Sequence, residues 1–175
     1  MKKRTLSLFL VVVMVLGLLP VTAQAVPVRA GMGNQAVLLG EPIVKDGGYE
    51  IGTAEDLLWF AQAVNGGQTG LSAVLTSDID LSNVAWPGIG TETNKFAGSF
   101  HGQGHTVTFK DADRGLFGYV MGTEGSLITI QNVVTEGSVN SSAICHEAGY
   151  THFINCINRA TSLRNPQKSV AFWVR

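Results

Sequence analysis

Residues 130–138, with the sequence IQNVVTEGS, align with residues 153–161, FINCINRAT, at an offset of 23. In each stretch an apolar residue precedes an asparagine by two positions, and two apolar residues follow that asparagine. The same offset counted back from Ile130 reaches Val107, inside a third apolar stretch at residues 106–109. A repeat of this length indicates a β-solenoid, in which each coil of chain stacks on the preceding coil.

The alignment also predicts which side chains stack. Asn132 and Asn155 would occupy one column at a turn, and Val133 would stack on Cys156 in the core. A β-sandwich with chance similarity is the alternative, although sandwiches rarely repeat at this spacing. We therefore predict an all-β fold in the form of a short parallel β-helix, the domain spanning residues 49–161.

Further strands are predicted from short apolar runs between glycine-containing turns. With the two aligned stretches, they cover residues 74–81, 96–100, 106–109, 127–134 and 153–157. Glycine and proline interrupt residues 26–48 at irregular intervals. We expect a loosely ordered lead-in there, with a short strand at residues 37–39.

One helix is predicted over residues 53–65. Thr53 is a good N-cap, and the Asp56 carboxylate, three residues later, can accept a hydrogen bond from the N-cap backbone. Asn65 and the two glycines after it end the helix. Four apolar side chains share one face, which must pack on an apolar surface such as the end of the β-helix: Leu57, Phe60, Ala61 and Val64.

The first 25 residues have the three parts of a secretory signal peptide. A basic segment at residues 1–4 precedes an apolar run at residues 6–19, and Ala23 and Ala25 offer the small side chains that signal peptidase recognises. An uncleaved membrane anchor is the alternative, but the run is shorter than the ~20 residues that a spanning helix needs. We expect cleavage after Ala25 and a secreted or cell-surface protein.

The charge of the remaining chain excludes one class of partner. Cleavage would remove Lys2, Lys3 and Arg4 from the 12 basic residues, which leaves nine against 13 acidic residues and a formal net charge of −4. No basic stripe remains, so nucleic acid is not an expected partner. A second long apolar run is absent from the sequence, so we expect no membrane association after cleavage.

Several stretches resemble a known family. YEI at residues 49–51 with the following helix, LTSDIDL at 75–81 and FAGSFHGQGHTV at 96–107 are similar, in this order, to the N-terminal regions of large Gram-positive cell-surface proteins. GLFGYV at 115–120, followed by IQNV at 130–133, resembles the repeat called GLUG. The resemblance covers about residues 49–161.

The resemblance implies a right-handed parallel β-helix near the N-terminus of a long exported protein, with no catalytic residues assigned to this module. Three departures are visible. His101 stands where the family usually has aspartate, the repeats end after about three coils, and residues 162–175 lose the pattern. We therefore expect an irregular tail at 162–175 and a fragment of a longer surface protein.

Four aspartates are the candidate catalytic residues. Asp78 and Asp80 are two apart in a predicted strand, and Asp111 and Asp113 repeat that spacing in a predicted turn. β-Helix polysaccharide lyases and hydrolases use clustered carboxylates for calcium or for acid–base chemistry, and Arg114 could complete such a set. The alternative is that all four aspartates face water or stabilise turns.

Histidines, cysteines and one tryptophan are the remaining candidates. The pairs His101–His105 and His146–His152, the latter near Cys145, lack the tight spacing of a zinc site, so no metal or cofactor is expected. Cys145 and Cys156 could form a disulfide in an exported protein or remain free thiols. Trp86, beside a proline in a loop, could stack on a sugar or serve as a structural aromatic residue.

The sequence thus favours an exported module with a structural or adhesive role, which binds a glycan or a host or matrix protein. A polysaccharide-active β-helix enzyme using the four aspartates is the first alternative. A non-functional remnant of a larger surface protein is the second.

Overall fold

The computed structural model describes residues 29–30 and 37–164. The predicted signal peptide at residues 1–25, and residues 165–175 of the predicted tail, lie outside the described residues. The described chain contains one helix, α1 (Ala54–Asn65), and these strands: β1 (Arg29–Ala30), β2 (Val37–Leu38), β3 (Val44–Lys45), β4 (Gly48–Ile51), β5 (Ala73–Leu75), β6 (Ile79–Asp80), β7 (Phe100–His101), β8 (Thr106–Ala112), β9 (Phe117–Met121), β10 (Ile128–Gln131), β11 (Val134–Val139), β12 (Cys145–Gly149), β13 (Thr151–Ile154), β14 (Ile157–Asn158) and β15 (Thr161–Ser162).

The strands from β4 onward pair in parallel and form three sheets. The first sheet has the order β13-β10-β7-β5-β4, the second has the order β14-β11-β8-β6, and the third joins β12 to β9. The chain enters the sheets in a fixed sequence, so that β7, β8 and β9 are followed by β10, β11 and β12. This mostly β, parallel architecture confirms the predicted all-β class.

The alignment at an offset of 23 gives the correct pairing for the last segments. Ile130 pairs with Phe153 in the first sheet, and Val134 pairs with Ile157 in the second. The predicted alignment of Ile130 with Val107, the third copy of the repeat, was wrong. Ile130 pairs with Phe100 on its other side, and Val107 pairs with Thr135. Segments further from the C-terminus are longer, so a single offset does not fit the whole chain.

Each aligned stretch is two strands, not the one that alternation predicts. Asn132 separates β10 from β11, and Asn155 separates β13 from β14. Both asparagines adopt left-handed backbone, with φ of 53° and 51°. An isolated left-handed residue redirects the chain, and asparagine tolerates this conformation better than most side chains. The asparagine therefore turns the chain from the first sheet into the second.

Two other predicted strands are also shorter than expected. Residues 74–81 divide between β5 and β6, in different sheets, with a turn at 76–78. Of residues 96–100, only Phe100 lies in a strand, while Phe96 makes an isolated bridge to Val120. Alternation predicted the buried side chains correctly here, because Leu75, Ile79 and Phe96 are at most 2 % exposed.

Helix α1 begins and ends as the sequence predicts. The Thr53 side chain accepts a hydrogen bond from the Asp56 backbone N–H, and the Asp56 carboxylate accepts from the Thr53 N–H. The predicted apolar face is completely buried. Trp59 and Phe60 in this helix contact Tyr49 of β4, with ring centroids 5.1 and 6.2 Å apart. The helix is therefore fixed against the first sheet.

An aromatic cluster lies at the centre of the core. Phe60 contacts Phe96 and Phe100, and both of these phenylalanines contact Phe117 of the third sheet. All four rings are at most 1 % exposed. This cluster ties the helix to strands from the first and third sheets.

Apolar side chains are less completely buried in the last segment than in the rest of the core. Val133 and Cys156 are both buried, as the stacking alignment predicts. However, four large apolar side chains of the last segments are 39–54 % exposed: Tyr150, Ile154, Ile157 and Leu163.

The lead-in predicted as loosely ordered contains regular structure. Strands β1 and β2 pair antiparallel, and β3 pairs antiparallel with β4. Asp46 and Gly47 connect β3 to β4 with φ of 51° and 82°. Two left-handed residues in an Asp-Gly pair are typical of a tight hairpin turn, a signal that the sequence does contain.

Helix α1 has 12 residues, and the described part of the chain includes no helix of the length and apolarity required to cross a bilayer.

Candidate binding groove

A shallow, open groove of about 740 Å³ runs across the turns that connect the first sheet to the second. Each turn follows one strand of the first sheet, so successive turns stack as their strands do. The groove is lined by eight residues from three successive segments: His101, Gln103, Gly104, Asn132, Val134, Asn155, Ile157 and Arg159.

Three side chains form a hydrogen-bonded ladder along the groove. The Asn155 and Asn132 amides approach within 3.1 Å, and the Asn132 amide lies 3.3 Å from Nε2 of His101. Nδ1 of His101 accepts a hydrogen bond of 2.9 Å from the Gln103 backbone N–H. The predicted stacking of Asn132 on Asn155 is therefore present, with His101 as the next rung.

The hydrogen bonds of the ladder run from Asn155 toward His101. The Asn155 amide N–H donates to Oδ1 of Asn132 at 3.1 Å, and the Asn132 amide nitrogen faces Nε2 of His101 at 3.3 Å. Asn155 therefore keeps its amide oxygen and its second N–H outside the ladder.

The groove carries one balanced ion pair. Nη1 of Arg159 lies 3.0 Å from Oε1 of Glu136, one strand away. Both side chains are largely exposed, so the pair contributes little to stability, at most about 1 kcal/mol. It does neutralise the guanidinium charge beside the groove.

Two apolar side chains complete the surface. Val134 and Ile157 are paired neighbours in the second sheet. Val134 is 7 % exposed, whereas Ile157 is 39 % exposed. The groove thus combines amide and imidazole groups with an exposed aliphatic surface.

Asp78 and Asp80 each have separate hydrogen-bond partners. Asp78 precedes β6, where its carboxylate accepts from the Thr106 N–H at 2.9 Å and lies 3.2 Å from Nδ1 of His105. Asp80 accepts from the Ser82 N–H at 2.8 Å. The pKa of Asp78 is lowered, chiefly by the Thr106 hydrogen bond and then by His105, and the pKa of Asp80 is lowered by Ser82. Each carboxylate has a local structural role as an anion.

Asp111 and Asp113 are also occupied locally. The Ser138 hydroxyl donates to Asp111 at 2.7 Å, and the Asn140 amide donates to Asp113 at 2.9 Å. Asp80 pairs with Thr108, so Asp111 lies three residues further along the neighbouring strand, about 10 Å away at ~3.3 Å per residue. Arg114 instead lies over the Tyr119 ring, 5.6 Å from its centroid. Each of the four aspartates thus has a hydrogen-bond partner of its own, which favours the interpretation that they stabilise turns and strand ends.

The contact between Asp78 and Thr106 makes stability depend on pH. Because folding lowers the pKa of Asp78, the ionised carboxylate stabilises the fold above its unfolded value of about 3.9, and this contribution is lost as pH falls through the folded pKa. We expect Asp78→Asn to lower the melting temperature more at pH 7 than at pH 2.5. Thermal melts across this range measure the difference. Glu124→Gln, which removes an exposed charge in the turn at 123–126, is the control, and equal losses for Asp78→Asn at both pH values would contradict the argument.

No group of three histidine, cysteine, aspartate or glutamate residues within the described ranges is arranged to hold a metal ion. His146 packs edge-on against Tyr119, at 5.6 Å between ring centroids. His101 and His105 have separate hydrogen-bond partners, one in the ladder and one at Asp78.

The structure gives Trp86 a packed position in the loop, which favours the structural interpretation of this residue over sugar stacking. Its ring is only 7 % exposed, and its indole N–H donates to the Gly115 carbonyl at 2.9 Å. A tryptophan buried on its faces and satisfied at its N–H has no ring surface available to a sugar. Trp86 is a structural residue of the loop between β6 and β7.

Cys145 and Cys156 are free thiols, not a disulfide. Cys145 lies in the third sheet, and Cys156 lies at the turn from the first sheet to the second. Burial raises the pKa of Cys145 to about 12 and also raises the pKa of Cys156.

These raised pKa values predict slow thiol chemistry in the folded protein, because the thiolate is the reactive form. We expect a thiol reagent such as dithionitrobenzoate at pH 8 to label neither cysteine within minutes, and to label both at once in 6 M guanidinium. Cys145→Ser and Cys156→Ser assign any residual signal. Cys145 is partly exposed, so rapid labelling of this residue in the folded protein would contradict the raised pKa of its thiol.

Comparison with known proteins gave no match to any family model, any curated protein or any solved structure. The search for catalytic carboxylates in the sequence does not predict this groove, because its chemistry comes from asparagine and histidine side chains and not from carboxylates. The available signal was the polar column at Asn132 and Asn155, which the alignment placed at one turn.

Proposed function

We propose that this chain is an exported module with a binding role at the cell surface, and that it performs no catalysis of its own. The observation that carries the proposal is the open groove. Its lining residues offer amide, imidazole and guanidinium donors with an aliphatic surface, but no carboxylate. Most glycoside hydrolases use a pair of carboxyl groups that flank the scissile bond, so the absence of a carboxylate from this lining supports binding without turnover.

The module is a short right-handed β-helix capped by α1. Parallel pairing at separations of 23–30 residues supports this fold, since it repeats in all three sheets. A β-sandwich is built from antiparallel strands and does not agree with that pairing. The fold predicts nuclear Overhauser contacts from the Ile130 backbone to Phe100 and Phe153. Nuclear Overhauser contacts typical of antiparallel strand pairs at these positions would exclude the β-helix.

The likeness to GLUG-repeat surface proteins supports the same cellular location. The stretches that carry the likeness include α1 and the strands of all three sheets. The apolar run at residues 6–19 and the alanines at 23 and 25 support export.

Export predicts a processed N-terminus. When the full chain is expressed in a Gram-positive host, we expect the secreted protein to begin at Val26, because signal peptidase reads small residues at positions 23 and 25. Edman sequencing or intact mass measures this end. Ala25→Phe is expected to keep the precursor with the cells, whereas Ala30→Phe serves as a control outside the recognised positions. A secreted chain that retains Met1 would overturn the cleavage.

The binding role is tested with the secreted protein on a panel of soluble glycans and immobilised matrix proteins, including fibronectin and collagen. We expect saturable binding to at least one member and no release of reducing ends from bound glycans. A flat response across the panel would reject the binding role. Release of reducing ends would support the polysaccharide-active alternative.

A further inference from the structure

We propose that the groove binds a linear, uncharged polysaccharide that lies across the strands, along the ladder from His101 to Asn155. This inference rests on the proposed binding function and specifies its ligand. Four properties of the groove carry it: the ladder's spacing, its remaining hydrogen-bond capacity, its charge balance and its aliphatic surface.

The spacing of the ladder is set by the sheet. Asn132 and Asn155 follow paired strands, and neighbouring strands lie about 4.8 Å apart. The rungs therefore recur at a distance comparable with the length of one pyranose ring in a linear chain. A polymer lying in the groove would present each successive ring to the next rung.

The ladder keeps hydrogen-bond capacity after its internal bonds are made. An asparagine amide has two N–H donors and two acceptor positions on oxygen. Asn132 uses one donor and one acceptor position within the ladder, and so retains one of each. Asn155 donates one N–H to Asn132 and retains its second N–H and its amide oxygen at the open end. Groups that both donate and accept match hydroxyls, which do the same.

The charge balance disfavours an anionic polymer. Arg159 is the cation in the lining, and Glu136 lies 3.0 Å from it. An acidic glycan would have to compete with the Glu136 carboxylate for the guanidinium and would then lie beside that displaced negative charge. A neutral chain can accept from the guanidinium N–H groups that do not face Glu136.

The aliphatic surface suits the carbon faces of sugar rings. Ile157 is 39 % exposed and adjoins the ladder residue Asn155 in the same groove. A pyranose ring buries its C–H face against such a side chain while its edge hydroxyls reach the amides.

The experiment is isothermal titration calorimetry of the secreted protein with three neutral probes and one acidic probe. The neutral probes are cellohexaose, xylohexaose and mannohexaose, and the acidic probe is the hexamer of galacturonic acid. Asn155→Gly removes the amide but keeps the left-handed backbone, which glycine adopts readily. Asn140→Ala, which removes an amide outside the groove, is the matched control. Circular dichroism melts verify that both variants fold.

We expect at least one neutral hexamer to bind, Asn155→Gly to weaken that binding about three- to tenfold for the loss of its hydrogen bonds, and Asn140→Ala to leave it unchanged. Tighter binding of the acidic hexamer would overturn the uncharged class while leaving the binding role intact. Neutral binding that Asn155→Gly does not weaken would overturn the groove as the site. If none of the hexamers binds but a matrix protein on the panel does, this inference fails and the proposed function stands.

Discussion

Replacement of Phe117 by alanine is expected to lower the free energy of unfolding by about 4 kcal/mol, the range for deleting a buried aromatic ring. Phe117 is completely buried, and its ring lies 5.2 Å from that of Phe100 and 5.4 Å from that of Phe96. Its loss would leave a cavity where the third sheet meets the first. With a urea m-value of about 2 kcal/mol/M, the unfolding midpoint should fall by roughly 2 M.

Tyr150→Ala is the matched control for Phe117→Ala. It also removes an aromatic ring, but Tyr150 is 54 % exposed near the last segment. Tyr150 has a left-handed backbone with φ of 50°, which costs alanine about as much as it costs tyrosine, so we expect a loss below about 1 kcal/mol. Equal losses for the two variants would mean that the aromatic cluster does not organise the core.

The second large effect is expected at Gly137, in β11. This glycine has φ of 90°, and an added Cβ would collide with the backbone carbonyl of Phe109 in β8. Because the obstacle is the backbone of a paired strand, β8 and β11, which are neighbours in the second sheet, would have to separate locally. Gly137→Ala should therefore lower the free energy of unfolding by more than about 3 kcal/mol, or prevent folding.

Substitutions at two other glycines distinguish the effect of the steric collision from the effect of the left-handed backbone. Gly104 has φ of 86° but open space around its missing Cβ, and Gly125 has open space without a left-handed φ. Gly104→Ala should cost about 1 to 2 kcal/mol from backbone strain alone, and Gly125→Ala close to nothing. Urea unfolding of the three variants should thus give the order Gly137, Gly104, Gly125. A Gly137→Ala variant no less stable than Gly104→Ala would contradict the collision.

The sequence predicted local features best. The Thr53 capping box and the buried face of α1 depend on neighbours three and four residues apart, and both are present. The pairing of Ile130 with Phe153 was predicted because the last two segments happen to have equal lengths around their turn. The pairing of Val107 was not, since insertions outside the strands change the offset to 28 there.

Strand ends were predicted less well, for a physical reason. The alternation of apolar and polar residues indicates which side chains are buried. In this molecule the buried pattern continues past the bends at Asn132 and Asn155, although each strand ends there. The left-handed conformation at these residues leaves the same inward pattern on either side of the bend. Periodicity therefore joined pairs of strands that belong to different sheets.

The candidate site depended on chemistry that spacing does not reveal. Four aspartates were the candidate catalytic residues because carboxylates are common in catalytic sites: Asp78, Asp80, Asp111 and Asp113. In the structure each of them accepts a hydrogen bond from a nearby residue. The Arg159–Glu136 pair and the direction of the amide ladder arise only when residues 23 or more positions apart become neighbours.

The pairing of strands that are 23–30 residues apart in sequence also determines how this molecule unfolds. Each segment is held by the segments directly before and after it, so cooperativity should decay along the stack instead of extending evenly through it. Backbone amides of β4, β5 and β7, next to α1, should exchange with deuterium most slowly, and those of β13 and β14 most rapidly. Fraying would then begin in the segment that carries Asn155, so the end of the groove that presents the free N–H and oxygen of this amide would also be its most adaptable part.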